Sequence, residues 1–572
     1  MFLKPSERKI NGKSYKYYNL VESVRADGKV KHNILVPLGV LTDEKANIIR
    51  EIIKASAEPN GSGIAKYRLD EVIVTKSTDF LNIYVLHQLW CDWGFDILFR
   101  EYQFIEKLVI NRCIHPMSKW RAAQWEDGEL LDLLNLRQTP NHYGAYDELD
   151  RIYQIESEIQ KHISEQLTMR NMMSDAAIVY DITSTFFERT KCTLAFRGYS
   201  RDHRPDKLQI VIAMAVTTQG YPFYWKVYEG KTPDVSTVKD FTNQIINLFG
   251  LSDFVFVFDR GMTSQGNIDY IEEKGYSFIS AIDRNEIVTS TPASIEQFRG
   301  VNENTDIAEL ENFTKYDNHL WYREYHADNR RYILGFSAQK QQEERKTQQV
   351  RLTRFEQQIQ EQNNDLSQAK RSRKREIVEK NIETFLKKTK VKQAIQVTIE
   401  DMPISRGKKN IESFHVAYSV DTSLLEDMQL TDGLTCFYTN TCSNVWPAEK
   451  VIRQYREKNI VEEGFREIKG ITELRPVYLS LPERVCAHVT ICVLAYLLYN
   501  TLEKRVSKLV ESSASDVLDE LAKCKVHTIT TKSGIECVKT LTRFTEKQIS
   551  ILKHLAYKPK AIESHFKRLI LN

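Results

Sequence analysis

The stretches "AAIVYDITSTFF" (176–187) and "FVFVFDRGM" (254–262) each run through apolar residues into an aspartate, Asp181 in the first and Asp259 in the second. Short runs rich in Val, Ile, Phe and Tyr read as strands buried on both faces. Such strands deliver a carboxylate to the rim of a sheet, where ligands bind. A lone aspartate after a strand is ordinarily a turn or cap residue. Two on neighbouring strands can converge on one metal.

The surrounding pattern extends the sheet. "LQIVIAMAVTT" (208–218) and "YPFYWKVYEG" (221–230) read as strands, "VKDFTNQIINLFG" (238–250) as a helix, and "YSFISAID" (276–283) as a strand after a second helix. Three strands, helix, strand, helix, strand is the order of an α/β, ribonuclease H-like mixed sheet. An insertion is expected over 285–437. It opens with strand patterns such as "HLWYREYH" (319–326) and continues into a long polar run with the basic cluster "KRSRKR" (370–375) inside it. That run predicts a sustained polar helix, a solvent-bridging arm or weak coiled coil, with DNA as one candidate contact of the cluster.

A third carboxylate comes from "YREKNIVEEGFREIKG" (455–470). At helical spacing Tyr455, Lys458, Glu462, Phe465 and Lys469 share one stripe. Solvated pairs such as Lys458 with Glu462 stabilise a helix by only about 0.2–0.5 kcal/mol. A packed helix would instead add Glu462 to Asp181 and Asp259. Three carboxylates suit two Mg²⁺ ions, which prefer oxygen ligands and share the phosphate oxygens of a substrate. Lys458 and Lys469 would then hold phosphate, with Tyr455 donating a hydrogen bond.

The bulk numbers constrain the class. At 572 residues, several domains are expected at about 100–200 residues each. Apolar residues make up 42% and charged residues 27%, a globular rather than a disordered balance. The net charge of +3 leaves any nucleic-acid surface to local segregation of charge. The nine cysteines include no CxxC pair, which predicts free thiols in a reducing compartment. The first residues lack the apolar core of a secretory signal. The apolar run "VTICVLAYLLYN" (489–500) is shorter than the ~20 residues of a membrane span and predicts a buried helix.

The sequence resembles the DDE transposases of bacterial insertion sequences, in particular the family-four superfamily and its sixteen-thirty-four branch. Their signature is Tyr-x2-Arg-x3-Glu-x6-Lys. This chain has Tyr455, Lys458, Glu462 and Lys469 at those spacings, with lysine in place of the arginine. Lysine keeps the charge but loses the planar fork that grips phosphate bidentately. "YDITSTFFE", "GYSRDHRPDKLQIVIAMAV" (198–216), "FDRGMTSQGN" (258–267) and "DGLTCFYTNT" (432–441) extend the resemblance over most of 175–505.

The resemblance implies a transposase that binds terminal inverted repeats, cleaves DNA with Mg²⁺ (Mn²⁺ able to substitute), and joins the ends to target DNA. The catalytic, metal-binding residues would be Asp181, Asp259 and Glu462. It implies a homodimer in a synaptic complex, no membrane, and a cytoplasmic, nucleoid-associated location. Trp321 is a base-flipping candidate by the same route. Two other readings are a catalytically degenerate DNA-binding protein and a stand-alone ribonuclease H-like nuclease. The expected organisation is an N-terminal hairpin-rich module (1–66) with a turn at Asp27–Gly28, a helical module (75–170) that is a DNA-binding candidate, a catalytic domain (171–284 and 438–510), the insertion (285–437), and a tail module (511–572). His203, Glu463 and Glu467 read as solvent-facing. Asp202 and Asp206 have no role that follows from spacing, and Thr183 and Thr185 fit either a turn or packing.

Overall fold

The protein is described from a computed structural model covering residues 2–569, apart from 11–12, 27–28, 57–71, 126–141, 174–176, 189–190, 251–253, 292, 303–304, 306–311, 408, 508–512 and 532–535. The chain divides into two compact units. One is built from residues 1–79, 523–544 and 563–572, the other from residues 80–522 and 545–562.

In the first unit, β1 (Phe2–Ile10), β2 (Lys13–Ala26) and β3 (Lys29–Val40) form an antiparallel meander. Alternation turns Leu3 and Tyr18 to one face, where Leu38 and Leu41 join them against Ala46 and Ile49 of the helix Asp43–Ser56. Ala26 pairs with Lys29, while the expected turn residues Asp27 and Gly28 lie outside the described residues, as does the expected module end at 66. β4 (Val72–Asp79) is an edge strand of a second sheet completed by the C-terminal hairpin described below.

The second unit is organised by one large mixed sheet. Its strands are β5 (Ala177–Phe186), β6 (Gln209–Val216), β7 (Pro222–Glu229), β8 (Val255–Phe258), β9 (Ser277–Ile282), β10 (Thr314–Lys315), β11 (Trp321–Ala327), β12 (Arg330–Phe336) and, after the insertion strands β13 (Ile395–Asp401), β14 (Ile404–Arg406), β15 (Lys409–Ile411) and β16 (Phe414–Val420), β17 (Leu434–Thr439). They lie in the order β10-β11-β12-β17-β9-β8-β5-β6-β7. β5, β8 and β9 are mutually parallel, and the other pairings are antiparallel. β6 is buried along its whole length, as continuous apolar runs require in a sheet covered on both faces. β10 to β12 fall inside the stretch expected as an insertion, yet β12 bonds through β17 into this sheet.

The part that stands off the sheet spans β12 to β17. Here the structure corrects the sequence reading: the polar run is not one sustained helix but two, Ala338–Ser367 and Arg375–Thr389, with most of the basic cluster in the connection between them. The physical reason is a hidden apolar stripe. Leu352, Phe355, Ile359 and Leu366 pack against Val378, Ile382 and Leu386 when the chain folds back. The antiparallel pairs β13 (Ile395–Asp401) with β16 (Phe414–Val420), and β14 (Ile404–Arg406) with β15 (Lys409–Ile411), complete this region.

Behind the sheet, the helix Pro482–Val506 packs against Gln103–Ile114 and His142–Gln154. It is longer than its twelve-residue apolar run because polar residues at both ends continue it. By length and composition it could cross a membrane, but it is buried within the protein along nearly all of its most apolar stretch. Trp93 and Trp225 donate to Thr501 and Thr490 of this helix, each at 3.0 Å, so these two buried hydroxyls are satisfied. In the first unit, β18 (Lys525–Thr531) and β19 (Glu536–Leu541) form the C-terminal hairpin and complete the sheet β19-β18-β4. The described cysteines are free, and most are buried.

Candidate functional site

β5 and β8 run in parallel register with Tyr180 opposite Phe258. Asp181, within β5, and Asp259, just past the end of β8, are therefore the next residues along two adjacent segments. The sequence placed Asp181 at a strand end, but β5 continues to Phe186, still paired with β6. It is β8 that ends, at Phe258, as the chain turns into a short 3₁₀ turn, Arg260–Met262. Asp181 is thus the first residue of β5 left without β8 beside it.

The charged segment also differs from expectation. It is two helices, Ala448–Glu457 and Asn459–Gly470, with Lys458 at the joint. The N–H of Lys458 bonds the carbonyl of Tyr455, and its own carbonyl accepts from Val461, so the break is a local tightening that keeps the side-chain stripe. Gly464 makes the close approach possible. A Cβ there would lie 2.8 Å from the hydroxyl of Tyr496 on the buried helix Pro482–Val506. Val461, Phe465 and Ile468 are buried, while Glu462 is exposed toward the cleft.

The ammonium of Lys458 lies 3.1 Å from Asp259 Oδ1 and 3.6 Å from Glu462 Oε1. The Tyr455 hydroxyl donates to Asp259 Oδ1 at 3.4 Å, and burial with the Asp259 charge raises its pKa. Asp181 lines the same cleft as Asp259 and Glu462, a cavity of about 680 Å³. Burial pushes its carboxyl up to about 7. The backbone N–H of Ile182 and the Arg201 charge oppose that rise, whereas Glu462 and Asp259 add to it.

Lys469 opens onto the same cleft but is held from below. Its ammonium is 2.9 Å from Asp202 Oδ1, and Arg475 reaches the same oxygen at 2.5 Å. Burial lowers the Lys469 pKa, against the pull of Asp202. The loop that carries Asp202 is pinned by a backbone crossing: a Cβ on Gly198 would sit 2.1 Å from the carbonyl oxygen of Gly230. Arg201 donates its N–H to Ser184 at 3.0 Å and its guanidinium to Asp234. Sequence reasoning missed Arg201, Asp234 and Arg475 as cleft residues. Arg201 lies in the run of charge "GYSRDHRPDK" (198–207), while Asp234 and Arg475 stand in unremarkable local sequence, and neither setting carries long-range partner information.

Of the remaining candidates, His203 is exposed with a left-handed backbone and Thr183 and Thr185 are buried. Asp206 pairs locally with Arg204. Glu463 is exposed as expected, but Glu467 is half-buried, because the helix turns it toward Glu503. Trp321 sits on β11, four strands from β8, and packs against the core around Phe298 and Phe336. Among the described residues, no group of three His, Cys, Asp or Glu side chains is gathered closely enough to hold a metal as it stands.

A family model described as "Transposase DDE domain" matches residues 176–498, more than half of the chain. The chain belongs to that family. A second model, "IS1634 family transposase, N-terminal domain", matches residues 3–63. The protein is therefore an insertion-sequence transposase, of a family that binds DNA and catalyses its cleavage and strand transfer with divalent metal ions. No curated protein matches the transposase. Among solved structures, a chain of the "Cryo-EM structure of piggyBac transposase synaptic complex with hairpin DNA (SNHP)" is similar at 10% identity, covering 92% of this chain and 83% of that one with a TM-score of 0.32.

Proposed function

We propose that the core of this transposase is ribonuclease H-like, that Asp181, Asp259 and Glu462 hold two Mg²⁺ ions, and that Tyr455, Lys458 and Lys469 hold the phosphates of the cleaved strand. The observation that carries this reading is the register of β5 against β8, which makes the two aspartates neighbours across parallel strands. The order β7-β6-β5-β8-β9, with three antiparallel strands followed by two parallel ones, supports the core assignment. The donor set fits the ions. It is all oxygen, and a cation, the Lys458 ammonium, already lies between Asp259 and Glu462.

When bound, the ions supply activation of the attacking oxygen and neutralisation of the leaving one. The protein's own groups do the rest. Lys458 and Tyr455 both contact Asp259 and would hold a phosphate that approaches it. Lys469 and Arg475, oriented by Asp202, present positive charge at the other side of Glu462. Trp321 is the residue proposed for insertion into DNA.

In this reading the modules divide as 1–66, 75–170, 171–284 with 438–510, 285–437 and 511–572, and the helical module at 75–170 is the candidate reader of the terminal inverted repeats. Joining two ends to a target in one event calls for a homodimer in the synaptic complex. The working location is the cytoplasm, at the nucleoid.

The test is strand cleavage of a labelled duplex carrying the element's end, with Mg²⁺, for wild type and Glu462→Gln. Metal-dependent cuts at the border that vanish in the variant, with binding intact, support the site. Tight binding without cutting by the wild type would favour a degenerate DNA-binding protein. Cutting without strand-transfer products would favour a stand-alone nuclease.

A further inference from the structure

Asp259 lines two cavities. One is the carboxylate cleft described above. The other, about 800 Å³, lies between the ends of β9 and β17 and the two insertion helices, and also touches Tyr455 and Lys458. Its lining is basic: Arg260, Arg284, Lys340, Arg351, Lys390 and Lys458, against the carboxylates Asp259, Asp283 and Glu344.

The pairing of these cations is uneven. Arg284 is neutralised by Glu344 and by the buried Asp432, both at 2.6 Å, and Arg260 faces Asp283 at 3.5 Å. Among the described residues, Lys340 bonds neutral oxygens, the Leu434 carbonyl at 3.0 Å and the Thr435 hydroxyl at 2.8 Å. Arg351 and Lys390 have no hydrogen-bond or ion-pair partner among the described residues. Arg351 comes from the middle of the helix Ala338–Ser367, and Lys390 caps the C-terminus of Arg375–Thr389 in a left-handed conformation. Two separate helices therefore bring uncompensated charge to one wall of a cavity whose other wall is the Asp259 strand end. Solvated surface cations do not need a cavity, and convergent unpaired ones suit a polyanion.

We infer that this cavity is a binding site for the sugar-phosphate backbone of one DNA strand beside the scissile phosphate, with Arg351 and Lys390 each neutralising a phosphate. The inference rests on the transposase reading of the carboxylate cleft and adds a track leading away from it. It moves the DNA contact of the insertion from "KRSRKR" to the opposite end of the second helix. Within that cluster Arg375 already pairs with Glu379 and Asp401.

The experiment measures end-duplex binding as a function of salt, and cleavage, for wild type, Arg351→Gln, Lys390→Gln and the double variant. Lys346→Gln, an exposed cation on another face of the same helix, is the control. Each cavity variant should reduce the slope of log K against log salt by about 0.9, the double by about twice that, with Lys346→Gln unchanged. A duplex with methylphosphonates next to the scissile phosphate should weaken wild-type binding and leave the double variant unaffected. Slopes equal to wild type in the cavity variants, alongside normal wild-type cleavage, would overturn this inference and leave the carboxylate site standing. Absence of both binding and cleavage in the wild type would overturn both.

Discussion

The Lys458 ammonium sits 3.1 Å from Asp259 Oδ1, at the joint between two helices, so the residue that departs from the family signature is in direct contact with a proposed metal ligand. Its side chain is only 16% exposed, and Glu462 lies on its other side. Truncation here removes a charge that faces both carboxylates. Lys458→Ala should lower cleavage about 100-fold, on the scale of losing one preorganised charge contact. Lys458→Arg, which restores the planar fork, should stay within about tenfold of wild type. Gel-resolved cleavage rates for the two variants decide it, and equal losses would show that the position tolerates only lysine.

Asp202 offers a second test. Its side chain is 3% exposed, it holds Lys469 and Arg475 through Oδ1, and its Oδ2 is buried without a partner. Removing one member of a buried ion pair strands the others. Asp202→Asn should cost about 2–4 kcal/mol, reduced from the fully buried figure because Arg475 is partly solvated. Adding Lys469→Met to Asp202→Asn should restore part of the melting temperature but not the cleavage, since the cation is gone. If the double variant melts below the single one, the ion pair is not what Asp202 supports.

Glu467 carries a pH dependence whose sign follows from its surroundings. Burial, with Glu503 and Glu463 nearby, pushes its carboxyl up to about 7. A carboxyl raised on folding favours the folded state while it is protonated, below its ordinary value near 4.5. That contribution is lost as pH rises through about 7. Glu467→Gln should therefore raise thermal stability at pH 8 by on the order of 1 kcal/mol, discounted for partial exposure, and change little at pH 4. Melting curves at the two pH values test this, and an equal effect at both would exclude titration as the cause.

Gly464 sets how closely the Glu462 helix approaches its neighbour. Gly464→Ala gains helix propensity of about 1 kcal/mol. It also forces a Cβ to 2.8 Å from the Tyr496 hydroxyl, which donates to the Gly220 carbonyl at 3.0 Å. Overpacking of about 1–3 kcal/mol should win, with a loss of cleavage as Glu462 shifts. Tyr496→Phe in the same chain should recover part of the stability. A Gly464→Ala protein as stable and active as wild type would show that the helices can slide apart freely.

Local patterning was enough to fix the strands and the aspartates that follow their apolar runs, because side-chain alternation and apolar runs are properties of neighbouring residues. Spacing was also enough to put Tyr455, Lys458, Glu462 and Lys469 on one face, since a stripe survives a tightened turn. The sequence likewise indicated that the run 489–500 is buried, though not that polar ends extend it to a 25-residue helix. What depended on distant partners was not legible. The return of β11 and β12 into the central sheet needs β17, a hundred residues on. The fold-back of the polar helices needs the apolar stripe on each to find the other. Asp202 acquires its ion pairs from residues 267 and 273 positions away, and Arg351 and Lys390 become neighbours only when both helices close over the end of β17. Charge and burial are set by such encounters, which one-dimensional spacing does not contain.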